Sequence, residues 1–167
     1  MKKHLSLIPK DDDVMLDANM IVYALQPASP YHESCRELLE HGFKKTISLH
    51  TTVHVVSDVI HRIMVEEIRE MGLTDKVNPA TFLKKRPQII PKLNRYKTVL
   101  RDLKRVGLDI LPVSHQDLHG SRIHREQHGL MANDSLIVAV MRREKIQHLA
   151  TNDRDFERVP DIKVWYP

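Results

Sequence analysis

The chain has 167 residues, 41% of them hydrophobic and 29% charged, proportions that fit one soluble globular domain and exclude both a disordered chain and two well-packed domains. A core of that size needs neither disulfides nor a structural metal, and the single Cys35 excludes an internal bridge and a cysteine-rich zinc module while fitting a reducing cytosol. The net charge of +4 hides an asymmetry: residues 84–105 hold nine basic groups and one acid, a net +8 that leaves −4 for the rest.

In chain order, the amino-terminal MKKHLSLIPKDDD has two lysines but no long apolar stretch and no small-residue cleavage site, so no secretory leader is expected and a cytoplasmic location is. A first β-like run at 14–17 ends on Asp17, with Asn19 placed to cap the helix that follows. Ser29 and Pro30 read as the cap and first residue of a second helix, closed by Gly42. A strand at 46–50 leads into a long helical pattern that ends at Gly72 and carries Asp58 between apolar neighbours. Pro79, Pro87 and Pro91 then break the pattern, and the basic region about 74–106 is expected to form a helical hairpin inserted in the domain and projecting from it.

A third strand at 109–113 precedes Ser114 with Asp117 three residues on, a variant capping box, and the ensuing helix closes at Gly129. The stretch ANDSLIVAVM places Asp134 at the start of a helix apolar nearly all round. Its uninterrupted apolar run, residues 136–141, is as long as any in the chain and far below the roughly 20 residues a membrane-spanning helix requires, so no membrane partner is expected. A strand at 147–151 runs into the loop Asn152-Asp153-Arg154-Asp155-Phe156, and a strand at 163–166 completes the pattern. Five short strands alternating with helices predict an α/β sandwich of three layers, a mostly parallel five-stranded sheet between helices, as one domain over 1–167.

Ligands of such sheets bind beyond the carboxyl ends of the strands, where Asp17 and Asp153 fall. Taken singly, each acid has a structural explanation: Asp17 and Asp134 as helix caps, Asp153 as a turn residue, Asp58 as the i,i+4 partner of Arg62. Gathered at one edge they would repel one another and raise their pKa values, which makes sense if a divalent cation neutralises them. Hard oxygen donors without thiolates favour Mg²⁺ or Mn²⁺ over zinc.

Three stretches carry a family resemblance: LDANMIVYAL at the first acid, SDVIHRIM at the second, and NDSLIVAVMRREKIQHLATNDRDFERVPDIKVWYP across the rest. They resemble the PIN-domain nucleases, particularly the VapC-type toxins of toxin–antitoxin pairs. The resemblance implies an endoribonuclease that uses Mg²⁺ or Mn²⁺ to hydrolyse RNA, leaving a 5′ phosphate and a 3′ hydroxyl. It places Asp17, Asp58, Asp134 and Asp153 on the acidic quartet, with Asp17, Asp134 and Asp153 as the core of the cation site. Asn19 falls on the small polar position, Thr151 on an assisting one and Asp155 on an auxiliary acid. The second acid is commonly Glu in the family; Asp58 is one methylene shorter, and the resemblance implies that it reaches the metal through water or holds a second ion weakly. The resemblance also implies a small VapB-like antitoxin that covers the groove, and a homodimer.

The +8 segment supplies candidate phosphate-tracking residues, Lys84, Lys85, Arg86, Lys92, Arg95 and Lys97, against the reading of a solvated helix face. With only Phe82 and Tyr96 as aromatics there, sequence-specific base stacking is not expected. His124 and His128 lack the Glu directly after the first His that a zinc protease helix carries. Two rival readings stay open. One is a haloacid dehalogenase-like phosphatase with Asp17 as nucleophile, although Asn19 stands where a second acid belongs; the other is an RNA-binding module that keeps the fold without catalysis.

Overall fold

The computed structural model describes residues 3–74 and 77–167. Residues 1 and 2, and residues 75 and 76 at the start of the expected hairpin, lie outside the described part. Six strands form one sheet: β1 (Lys3–His4), β2 (Asp13–Leu16), β3 (Ser48–Thr52), β4 (Asp109–Leu111), β5 (His148–Ala150) and β6 (Lys163–Tyr166). Their order is β1-β6-β5-β2-β3-β4 and every pairing is parallel. The expected five-strand count is therefore corrected to six. The extra strand, β1, has two exposed residues paired to Trp165 and Tyr166, too short and too polar to leave a periodic signal.

Helices fill the crossovers: α1 (Ala18–Leu25) and α2 (His32–Phe43) between β2 and β3; α3 (Val53–Glu70), α4 (Pro79–Lys85) and α5 (Arg95–Arg105) between β3 and β4; α6 (His115–His128) and α7 (Ala132–Glu144) between β4 and β5. Short 3₁₀ turns cover Leu5–Leu7, Pro87–Lys92 and Arg154–Arg158. Val14, Met15 and Leu16 of β2 are fully buried, the unbroken apolar run expected of a central parallel strand covered on both faces. The chain steps from β2 outward to β4, then returns to the other side of β2 with β5. The switch point of the sheet thus lies between the carboxyl ends of β2 and β5, where such folds open a crevice.

The hairpin region divides in two. In α5, Val99 and Leu103 are buried in the main core, and the helix packs on α3. Only α4 and the 3₁₀ turn stand apart, forming with Ile68 a small second core of Phe82, Leu83 and Leu93. Glu67 of α3 caps the start of α5 just after this unit, its carboxylate accepting from the backbone N–H groups of Asn94 (2.9 Å) and Arg95 (3.1 Å).

Gly42 does not end α2 but lies within it. A Cβ there would stand 3.0 Å from the Val106 carbonyl oxygen and 2.5 Å from Leu49 Cδ1, so the residue is needed for close approach. The helix runs on to Phe43, and the left-handed turn after it falls on Lys45, φ 56°. The second helix begins at His32 rather than Pro30, with Ser29 Oγ accepting from the Tyr31 N–H at 3.2 Å in the preceding turn. The Ser114–Asp117 capping box and the left-handed Gly72 and Gly129 stand where the sequence places them, and Gly107 after α5 is left-handed too.

Candidate active site

The carboxyl ends of β2 and β5, together with the first turns of α1, α3 and α7, enclose an open cleft of about 400 Å³. Asp17, Asp58, Asp134 and Asp153 all line it, alongside Asn19, His54, Arg62 and Arg154. Four acids spread over 137 residues of chain therefore face one space.

Asp17 follows directly on β2 and is the N-cap of α1, its Oδ1 accepting from the Ala18 N–H at 2.6 Å. Its Oδ2 accepts from the Thr151 hydroxyl (2.7 Å) and from Asn19 Nδ2 (2.5 Å). Thr151 is fully buried and its Oγ1 also accepts from Asn19 Nδ2 (3.1 Å) and the Asp153 N–H (3.0 Å). Asn19 Oδ1 in turn accepts from the Asn152 N–H at 3.2 Å. Thus Asn19 is not the helix cap; it ties the two strand ends together, and one Thr hydroxyl sets the spacing of the first and fourth acids. Burial pushes the Asp17 carboxyl above its ordinary pKa, against the lowering effect of the Thr151 and Ala18 hydrogen bonds and of the Arg62 charge.

Asp134 stands in the first turn of α7, where the helix dipole favours a carboxylate. Its neighbours fix that turn. Ser135, fully buried, donates to the Ala132 carbonyl at 2.7 Å and accepts from Arg125 Nη1 at 2.9 Å, and the same guanidinium donates to Ser121 Oγ at 2.7 Å, so α6 and α7 are stapled beside the acid. Burial, with the charges of Asp17, Asp153 and Asp155, raises the Asp134 pKa to about 6 against the opposing charge of Arg158. Asp153 caps the Arg154–Arg158 turn, its Oδ1 accepting from the Asp155 N–H at 2.8 Å. Asp155 does not line the cleft. It pairs with Arg158 Nη2 at 2.5 Å.

Asp58, in the second turn of α3, accepts from Arg62 Nε at 2.8 Å, so the helical ion pair and the cleft position hold together. His54, one turn earlier, joins α3 to α7. Its Nε2 faces the Asn133 carbonyl at 3.3 Å, which can only accept, so Nε2 carries the proton and Nδ1 accepts from the Thr52 hydroxyl at 2.9 Å. Burial lowers the His54 pKa, consistent with a neutral ring.

None of the six basic candidates lines the cleft. Lys84, Lys85 and Lys92 are exposed on α4 and the 3₁₀ turn. The Arg86 guanidinium lies 4.6 Å from the Phe82 ring centre, Arg95 pairs with Glu70 at 2.6 Å, and Lys97 donates to the Pro91 carbonyl at 2.8 Å. Among the described residues, the cations that do reach the cleft are Arg62 and Arg154. The sequence marked the first only as a partner of Asp58 and the second not at all; adjacency to the acids was the signal for both. His124 and His128 stack 5.9 Å apart on α6, and among the described residues no three His, Cys, Asp or Glu side chains form a ready-made metal cage.

The donor set fits a hard divalent cation nonetheless. All four acids offer oxygen, and the Asp134 pKa is raised by burial first and then by the charges of Asp17, Asp153 and Asp155, a repulsion that a cation there would relieve.

Comparison with known proteins gives the arrangement a context. The VapC ribonuclease of Mycobacterium bovis and ribonuclease VapC13 of Mycobacterium tuberculosis are each 25% identical over 152 residues, covering 90% of this chain and 97% of theirs. The fold is similar to that of VapBC2 from Rickettsia felis, solved with a promoter DNA fragment (TM-score 0.55, 20% identity, 92% of this chain and 98% of that one). It is also similar to that of Mycobacterium tuberculosis VapC20, a sarcin–ricin loop cleaving toxin (TM-score 0.56, 16% identity, 91% and 98%). The sequence pattern of the PIN domain matches residues 14–162, from β2 to the approach of β6, and the chain belongs to the PIN domain family.

Proposed function

We propose that this protein is a divalent-cation-dependent endoribonuclease, the toxin of a VapBC-type toxin–antitoxin pair. The observation that carries the reading is the convergence of Asp17, Asp58, Asp134 and Asp153 on one cleft at the switch point of a parallel sheet. The VapC ribonucleases, matched over nearly their whole length, and the solved VapBC complex support the nuclease and the antitoxin partner.

Asp17, Asp134 and Asp153 would hold Mg²⁺ or Mn²⁺, which supplies charge neutralisation at the attacked phosphate and acidifies a water to furnish hydroxide. The chain's own residues do the rest. Thr151 and Asn19 fix the Asp17 carboxylate so that it needs no reorganisation on binding. Arg154 offers an anion contact at the mouth of the cleft. The Lys84–Lys85–Arg86 group and Lys92, Arg95 and Lys97 act at longer range, attracting the polyanion rather than gripping the phosphate that is cut. A small antitoxin would silence the enzyme by covering the acidic cleft, and two copies of the chain form the toxin unit.

The test is incubation of purified protein with total RNA and Mn²⁺, followed by mapping of new ends. Cleavage to 5′-phosphate and 3′-hydroxyl ends, lost in Asp17→Asn, in Asp134→Asn and in EDTA, is expected. RNA binding without cleavage at any Mg²⁺ or Mn²⁺ concentration would favour the non-catalytic module instead.

A further inference from the structure

Arg62 is an unusual occupant of an acidic cleft. It comes from the same face of α3 as Asp58, one turn on, and lines the same space as Asp17, Asp134 and Asp153. Only its Nε is engaged, donating to Asp58 Oδ2 at 2.8 Å. Among the described residues the two terminal nitrogens have no partner, and the side chain is 52% exposed. Its charge also reaches across the cleft, where it opposes the rise in the Asp17 pKa that burial causes.

Two consequences follow from elementary electrostatics. An exposed i,i+4 pair is weak, so Asp58 is not locked in place; what matters is that a permanent positive charge already neutralises the one acid that α3 contributes to the lining of the cleft. A cation arriving beside Asp58 would meet that charge at close range. The carboxylate, one methylene shorter than Glu, also reaches less far toward it. Conversely, a guanidinium with two unengaged nitrogens above a cleft is the fork that recognises a phosphate oxygen pair, which a hydrated point charge does less well.

We infer that Arg62 takes the place of a second cation: the cleft binds one divalent ion, at Asp17, Asp134 and Asp153, while Arg62, steadied by Asp58, grips the phosphate of the bound RNA. The inference rests on the cation-dependent nuclease reading and assigns Arg62 as a substrate-binding residue of that site.

The experiment counts Mn²⁺ on the intact protein by isothermal titration and by electron paramagnetic resonance of free Mn²⁺, without RNA, for wild type, R62A, R62K and D17N. Wild type is expected to bind one ion. R62A is expected to bind Mn²⁺ about tenfold more tightly, or to take up a second ion, because a like charge has left the cleft; R62K is expected to match wild type in metal binding. In RNA cleavage, R62A should raise KM more than it lowers kcat, and R62K should restore only part of the loss. Unchanged or weaker Mn²⁺ binding by R62A, or two ions on wild type, overturns the role of Arg62 and leaves the nuclease standing. Failure of wild type to bind Mn²⁺, or undiminished binding by D17N, overturns the cation site and the inference with it.

Discussion

Asp134→Asn tests the electrostatic account of the cleft without any appeal to activity. The carboxyl has an ordinary pKa of 3.8, raised to about 6 in the fold by burial and three neighbouring acids. The folded protein therefore holds this proton more tightly than the unfolded chain. The associated stability is complete below about pH 4, fades as pH rises through the folded pKa near 6, and is absent above it. A displacement of about two units corresponds to about 3 kcal/mol. Partial exposure and loss of the favourable carboxylate in the first turn of α7 reduce what Asn recovers to about 1–2 kcal/mol. In EDTA at pH 7.5 the variant should thus be more stable than wild type, with a melting temperature higher by about 2–8 °C for a chain of this size. At pH 4 the two should coincide. Urea denaturation across the pH range reads the difference directly, and Mn²⁺ should reverse it by stabilising wild type alone. A variant no more stable than wild type at pH 7.5, or a gap that does not open between pH 4 and 6, would refute the claim that the acids are mutually strained.

Gly42→Ala should destabilise by about 1–3 kcal/mol, because the Leu49 side chain can shift away from the new Cβ but the Val106 carbonyl cannot; urea melts measure it. Ser135→Ala leaves the Arg125 guanidinium short of an acceptor and loosens the turn that holds Asp134, a cost of about 1–2 kcal/mol accompanied by weaker Mn²⁺ binding on titration. Arg154→Ala should lower the slope of log affinity against log salt by about 0.7, the value for one phosphate contact on single-stranded RNA. The double variant Lys84→Ala, Lys85→Ala should leave cleavage at saturating RNA unchanged, since neither residue lines the cleft.

Much of this architecture was readable from local pattern. The β2 run VML and the IVAVM stretch of α7 are buried at every position, so they announce central elements however the rest of the chain is arranged. Asp17 and Asp153 were readable as site residues because strand ends in parallel sheets face the crevice. What escaped depends on distance in sequence. Gly42 looks like a helix terminator until Leu49 and Val106 are seen against it. Strand β1 exists only because β6 offers it an edge. The basic segment attracted notice through composition, yet composition cannot say that α5 turns Val99 and Leu103 into the main core while Arg95 is spent on Glu70. Arg62 and Arg154 carry no motif beyond their spacing from Asp58 and Asp153, and only the tertiary geometry shows that both reach the cleft.

The Thr151 hydroxyl, shared between Asp17 and the Asp153 backbone, has a consequence for the life of the chain as it is made. The first acid leaves the ribosome early with only Ala18 and Asn19 beside it, while the Thr151 hydroxyl that joins it to the fourth acid is encoded 134 residues later. Until β5 slides in beside β2, the nascent protein has a core but no assembled cleft. If the proposed nuclease activity holds, a chain built this way is inactive until β5 has been made, and an inhibitor made beside it has that interval to accumulate.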